Sequence, residues 1–126
     1  MSTLKFTDDH EWLRAEDDGT ITVGITHYAQ DQLGDLIYVQ LPEVGRKHAP
    51  GEEVVVLESV KAAADIKTPI GGTVIEVNER IVKDPALVNR DPMGDGWFFR
   101  TRIDDAGALA GLMDEPAYQK LVGSLG

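Results

Sequence analysis

With 126 residues, 42% of them hydrophobic, the chain is long enough to build one domain around a modest core. Its 22 acidic against 12 basic side chains leave a formal net charge of −10, which repels phosphate backbones and anionic lipid and argues against nucleic-acid and membrane partners. The absence of cysteine excludes a disulfide framework and a zinc–thiolate site, so any sulfur chemistry must arrive on an attached group. The opening segment from Met1 to Asp9 has neither the apolar core of a signal peptide nor an Arg-rich presequence, and no later apolar run is long enough to span a bilayer. A cytoplasmic protein is the expectation.

Along the chain, Trp12–Glu16 and Thr20–Ile25 flank Asp17-Asp18-Gly19, and an Asp-Gly pair suits a two-residue hairpin closed by positive φ angles. Thr26 is placed to cap a short helix over residues 27–33, which Gly34 ends in the left-handed conformation. Leu36–Leu41 reads as a strand stopped by Pro42. The β-branched run from Val54 leads to a tight turn at Lys61, and Ala63–Thr68 returns. Pro69-Ile70-Gly71-Gly72 then turns the chain into Thr73–Val77, another alternating strand. Asp84-Pro85 has the form of a capped helix start for residues 85–89. After the breaker Asp91-Pro92-Met93-Gly94-Asp95-Gly96, residues 97–103 form the most aromatic strand, expected to close the core. From Asp104 the pattern changes, and Leu109, Leu112, Met113, Tyr118, Leu121 and Val122 are spaced for the faces of two small helices, Ala106–Met113 and Pro116–Val122. The expected fold is mainly β, a flattened barrel or sandwich with short helices. It is read as a single domain over 1–126 whose C-terminal helical extension covers about 104–123.

Lys61 stands where this chemistry is most legible. A lysine on the tip of a hairpin keeps its ε-amine in water, open to an acylating enzyme. At an ordinary pKa of about 10.4 it is a cation and a poor nucleophile, which suits an attachment point better than a catalyst. The arrangement of strand, turn and strand around this lysine resembles the lipoyl and biotinyl carriers. Biotinyl carriers usually set methionines beside the lysine, whereas here its neighbours are Val60 and Ala62, and lipoyl domains of oxo-acid dehydrogenases place an aspartate before it. Glu58-Ser59-Val60-Lys61-Ala62 instead resembles the lipoylation motif of the glycine cleavage system H proteins. His10-Glu11-Trp12, Gly24-Ile25-Thr26 with Ala29-Gln30, Leu33-Gly34-Asp35, Leu41-Pro42-Glu43-Val44-Gly45 and Gly94-Asp95-Gly96-Trp97 are similar to segments of the same family in the same order. Nearly the whole chain is covered.

The resemblance implies a non-catalytic carrier with lipoate in amide linkage on Lys61. A pyridoxal-phosphate glycine decarboxylase loads the lipoyl disulfide with an aminomethyl group, a tetrahydrofolate-dependent aminomethyltransferase removes it, and dihydrolipoamide dehydrogenase reoxidises the dithiol. A lipoate-attachment enzyme would recognise the hairpin through Glu58, Ser59, Val60 and Ala62. The loaded arm needs a cleft that excludes water and pairs its ammonium with carboxylates, for which Glu11 and Asp65 are the candidates. Both could equally be solvated strand residues. Relatives often carry serine at Asp9 and histidine or an aromatic residue at Tyr28.

Two other readings use the same lysine. One is a relay carrier passing lipoyl or octanoyl groups to other lipoyl domains. The other is a hydrolase in which Ser59 and Lys61, two apart on a strand and so on one face, act as nucleophile and base. A lysine base requires burial to lower its pKa, which a hairpin tip among acidic residues does not provide. His10, His27 and His48 lack the spacing of a metal motif, so no metal is expected. Trp12, Trp97, Phe98 and Phe99 read as core filling, because no basic residues are interleaved to track a nucleic acid.

Overall fold

The structure, a computed structural model, describes residues 4–125, so Met1 to Thr3 of the opening segment and Gly126 lie outside it. Among the described residues nine strands form: β1 (Leu4–Phe6), β2 (Glu11–Ala15), β3 (Ile21–Ile25), β4 (Leu36–Gln40), β5 (Lys47–His48), β6 (Glu53–Ser59), β7 (Ala63–Lys67), β8 (Gly72–Val77) and β9 (Phe99–Ile103). The α-helices are α1 (His27–Leu33), α2 (Glu79–Lys83), α3 (Ala86–Arg90) and α4 (Glu115–Leu125), with a 3-10 helix at Ala106–Gly111. Every strand pairing is antiparallel. A six-stranded sheet in the order β1-β2-β3-β9-β8-β5 packs against a three-stranded sheet in the order β4-β6-β7. Of the two expected architectures the sandwich is the one formed, with no closed barrel. No described helix is long and apolar enough to cross a membrane.

Period-two alternation explains the core. Val23, Phe99 and Val74 from the large sheet share one fully buried cluster with Val39, Val55 and Leu57 from the small one. The aromatic strand closes this core, but its ladder starts at Phe99. The carbonyls of Asp95 and Trp97 both accept from the Asn78 side-chain amide, at 2.7 and 2.8 Å, which ties the approach to the strand to the end of β8.

Several local expectations change. The Asp17-Asp18-Gly19 connection is a three-residue loop closed by Glu16 N–H donating to the Thr20 carbonyl at 2.8 Å, and Gly19 alone of the three takes positive φ, at 85°. The Asp18 carboxylate is occupied by the Thr20 amide and hydroxyl, which favours this wider turn over a two-residue one. Asp84 does not cap α3 with its side chain; its carboxylate pairs with Arg90 instead. The first C-terminal helix is 3-10 and ends at Gly111. Asp105 caps it through Gly107 N–H, its two glycines weaken an α-helix, and Leu112 then turns extended so that Met113 can form a bridge with Phe6. Gly34 ends α1 with φ 81° and ψ −166°, outside the left-handed helical region and in one open essentially to glycine alone.

A second small core joins the C-terminal segment to the large sheet. Phe6 stacks on Tyr118 of α4 with centroids 4.6 Å apart, beside fully buried Trp12. Trp12 donates from Nε1 to the Pro92 carbonyl at 2.9 Å, and its ring lies so close to Gly24 that a Cβ there would meet ring atoms at 2.6 Å. Gly24→Ala should therefore destabilise the fold by about 1–3 kcal/mol through overpacking, read as a fall in the urea midpoint at unchanged slope.

Candidate functional site

The hairpin of β6 and β7 presents Lys61. Glu58 pairs with Ala63 and Ser59 N–H donates to the Ala62 carbonyl at 2.7 Å, leaving Val60 and Lys61 as the two residues of the tip. The tip needs no glycine because Ser59 organises it. Its Oγ accepts from the amides of Lys61 and Ala62, at 3.1 and 3.0 Å, and donates to the Ala62 carbonyl at 3.1 Å. Glu58, Val60, Lys61 and Ala62 are exposed, whereas Ser59 is buried within the turn it braces. Lys61 lies in the turn and not on the strand, so it does not share a strand face with Ser59. The serine hydroxyl is committed to backbone, which leaves the hydrolase pair without an activated nucleophile.

The Lys61 stem lies over the end of α1. A Cβ built on Gly34 would stand 3.2 Å from Lys61 Cε and 3.5 Å from its Cδ. Leu33, the residue before Gly34, lines a cleft of ≈ 300 Å³. One wall of this cleft is α1 through Tyr28, Gln32 and Leu33. The opposite wall is β7 from Ala64 to Lys67, and the floor comes from Asp9, His10 and Glu11 at the start of β2. Glu11 and Asp65, 54 positions apart in sequence, thus line the same space. Asp65 is exposed on β7, four residues and roughly 13 Å of extended chain beyond Lys61.

Glu11 is not a solvated strand residue: only 3% of it is exposed. One carboxylate oxygen accepts from Thr7 Oγ at 3.3 Å and the other from the Lys67 amide at 3.0 Å. Each oxygen retains a lone pair for a cation in the cleft. Burial pushes the Glu11 pKa up to about 7, with the neighbouring Asp9 charge adding to it and the Lys67 and Thr7 hydrogen bonds pulling it back.

The Tyr28 ring packs tilted against His10, centroids 4.5 Å apart, and His10 Nδ1 lies 2.9 Å from Tyr118 Oη, itself 2.6 Å from Thr26 Oγ. Sequence reasoning did not find this connection between α4 and the cleft. It also missed Asn89, whose side chain spans α3, α1 and the start of β4. No local pattern signals either one, because the partners of each lie far away in the chain. His48 is internal, bonded through Nε2 to Thr101 at 2.8 Å.

The elevated Glu11 pKa has a definite linkage sign. A carboxyl whose folded pKa lies above its unfolded value of 4.5 costs nothing below 4.5; the cost grows as pH rises from 4.5 to 7 and is complete above 7. Glu11→Gln keeps the shape and removes the titration. The melting temperature of this variant relative to the parent should therefore rise across that window, the two diverging by up to about 3 kcal/mol in stability, checked by thermal melts in a pH series.

The chain matches the Glycine cleavage H-protein family over residues 4–124. It is 58% identical over 122 residues to the glycine cleavage system H protein 1 of Pseudomonas aeruginosa, covering 97% of this chain and 95% of that one. With the glycine cleavage system H protein of Thermotoga maritima it shares 52% identity over 120 residues, 95% of this chain and 96% of that one. The fold superimposes on the crystal structure of a glycine cleavage system H protein from Mycobacterium marinum with a TM-score of 0.85, at 38% identity, covering 95% of this chain and 96% of that one. On the strength of a match that spans both sheets, the lysine hairpin and the C-terminal helix, the chain belongs to the glycine cleavage H-protein family.

Proposed function

We propose that this chain is the lipoyl carrier of a glycine cleavage system, with lipoate in amide linkage on Lys61. The observation that carries the assignment of the residue is the setting of Lys61: an exposed tip whose lysine stem lies over Gly34, at the end of the helix that walls an acidic cleft. Lipoate attached there would supply a disulfide able to accept the aminomethyl group left by glycine decarboxylation, being reduced to the dithiol level as it does so.

The chain's own residues hold and shield that cargo. Gly34 leaves room for the lysine stem to lie over the end of α1, next in sequence to Leu33, which lines the cleft. Glu11 offers a carboxylate already fixed by Thr7 and Lys67, and an arriving ammonium favours its charged form, which draws its raised pKa back down. Asp65 on the facing wall and Asp9 on the floor add negative charge, while Ile25, Ala29 and Leu33 keep the space partly apolar. A partly apolar recess in which three carboxylates outnumber the one lysine, Lys67, suits an amine on a thioether that water would otherwise release.

The protein itself carries out no bond-making step. Its partners are the pyridoxal-phosphate glycine decarboxylase, the tetrahydrofolate-dependent aminomethyltransferase and dihydrolipoamide dehydrogenase, together with the enzyme that attaches lipoate. That attachment enzyme reads the exposed tip through Glu58, Val60 and Ala62, with Ser59 setting the tip's shape from within. The whole chain acts as one carrier domain, its C-terminal extension at about 104–123 packed on the large sheet, and it works in the cytoplasm.

Lys61→Arg keeps the charge and the fold but offers no primary amine for the amide. Purified from lipoate-replete cells, the parent should show the added mass of one lipoyl group mapped to Lys61, and the variant none, at an unchanged melting temperature. A Lys61→Arg protein that still supports glycine cleavage with the purified partners would refute the assignment.

A further inference from the structure

The two residues of the tip have little holding them beyond the Ser59 brace, so the orientation of Lys61 depends on what lies beneath. That support is the link between α1 and β4. The Asp35 carbonyl accepts from Val60 N–H at 3.0 Å, and Gly34 lies under the Lys61 stem. The link is in turn latched by one side chain of α3. Asn89 Nδ2 donates to the Gly34 carbonyl at 2.9 Å and to Gln30 Oε1 at 3.0 Å, while Asn89 Oδ1 accepts from Leu36 N–H at 2.9 Å. Gly34 and Leu36 are the two neighbours of Asp35, so the amide grips the backbone on both sides of the carbonyl that holds the tip. Two donor hydrogens and an acceptor on one planar group are needed for this, which among short side chains only asparagine supplies.

We infer that Asn89 is a positioning residue for Lys61, setting through Gly34, Asp35 and Val60 how the ε-amine is presented to the lipoate-attachment enzyme. The inference rests on Lys61 being the attachment point. With the latch closed the tip waits in one orientation. With it broken, only a fraction of molecules is presentable at any moment, and apparent affinity falls by that fraction while the chemical step of a bound molecule is unchanged.

The test uses the unmodified full-length chain as substrate for a purified lipoate–protein ligase with lipoate and ATP, following the mass of the product and mapping it by fragmentation. Asn89→Asp retains the acceptor for Leu36 and removes both donors. It should raise the ligase KM for the protein about fivefold, as for a presentable fraction near 20%, at unchanged kcat. Hydrogen exchange of the Val60 amide should quicken while that of Val55 in the core does not. Loss of global stability alone would leave KM unmoved in a protein that is still almost wholly folded. Should Asn89→Asp fail to fold, Asn89→Ser, which can still donate one hydrogen bond, is measured in the same way and should show a smaller rise in KM. A KM equal to that of the parent, or a fall in kcat with KM unchanged, overturns the role of Asn89. If the parent chain itself gains no lipoyl mass at Lys61, the attachment assignment fails and the inference falls with it; modification of the parent with an unaffected variant removes the inference alone.

Discussion

The Ser59 hydroxyl is the contact on which the placement of Lys61 depends. A two-residue tip between paired strands ordinarily uses glycine or asparagine to satisfy its geometry. Here neither Val60 nor Lys61 takes positive φ, and the tip amides of Lys61 and Ala62 are satisfied by one side-chain oxygen. The amides of Ser59, Val60, Lys61 and Ala62 are thereby all engaged, while the lysine side chain stays exposed. The brace also keeps the tip short. Because Glu58 and Ala63 are already paired, the lysine projects from a stiff ladder anchored on Leu57 and Ile66 in the core and not from a loose loop.

From this anchor the rest of the site follows by packing. β7 continues from the tip as one wall of the cleft, and α1, ended by Gly34, forms the other. Gly34 serves two constraints at once: its φ and ψ lie where side chains are not tolerated, and the space above it is occupied by the lysine stem. The large sheet supplies the floor. The close approach of Gly24 to the Trp12 ring holds β2 and β3 in register beside Glu11, so the second core supports the cleft from outside it.

The legible parts of this design are those written in short stretches of sequence. The strand alternation, the Thr26 cap, the end of α1 and the tip at Lys61 each depend on residues within a few positions of one another. The less legible parts are either very short or non-local. β1 and β5 are three and two residues long, too short for periodicity to register, and α2 is a five-residue helix capped by Asn78. Glu11 and Asp65 were placed as candidates by likeness to relatives, but only the fold reveals that Glu11 is buried and that both line one recess. The hydrogen bonds of Asn89 to Gln30 and of His10 to Tyr118 span 59 and 108 positions, and an isolated Asn or Tyr carries no mark of such a partner.

A buried position at the floor of a partly apolar cleft is a poor place to keep a carboxylate charged. Burial accordingly raises the Glu11 pKa, and the Thr7 hydroxyl and Lys67 amide offset part of the rise. The floor on which Glu11 rests is itself under tension: His10 adopts φ 68°, a conformation that costs a non-glycine residue about 1–2 kcal/mol. Contacts from elsewhere hold it there. Its ring is gripped between Tyr28 on α1 and Tyr118 on α4, and its carbonyl accepts from Thr26 N–H at 2.9 Å. The C-terminal helix, far from the lysine in sequence, thus gains a physical reason to be part of the carrier: it completes the clamp on the turn that turns Glu11 inward, and an unclamped His10 would relax at the expense of the carboxylate beside it.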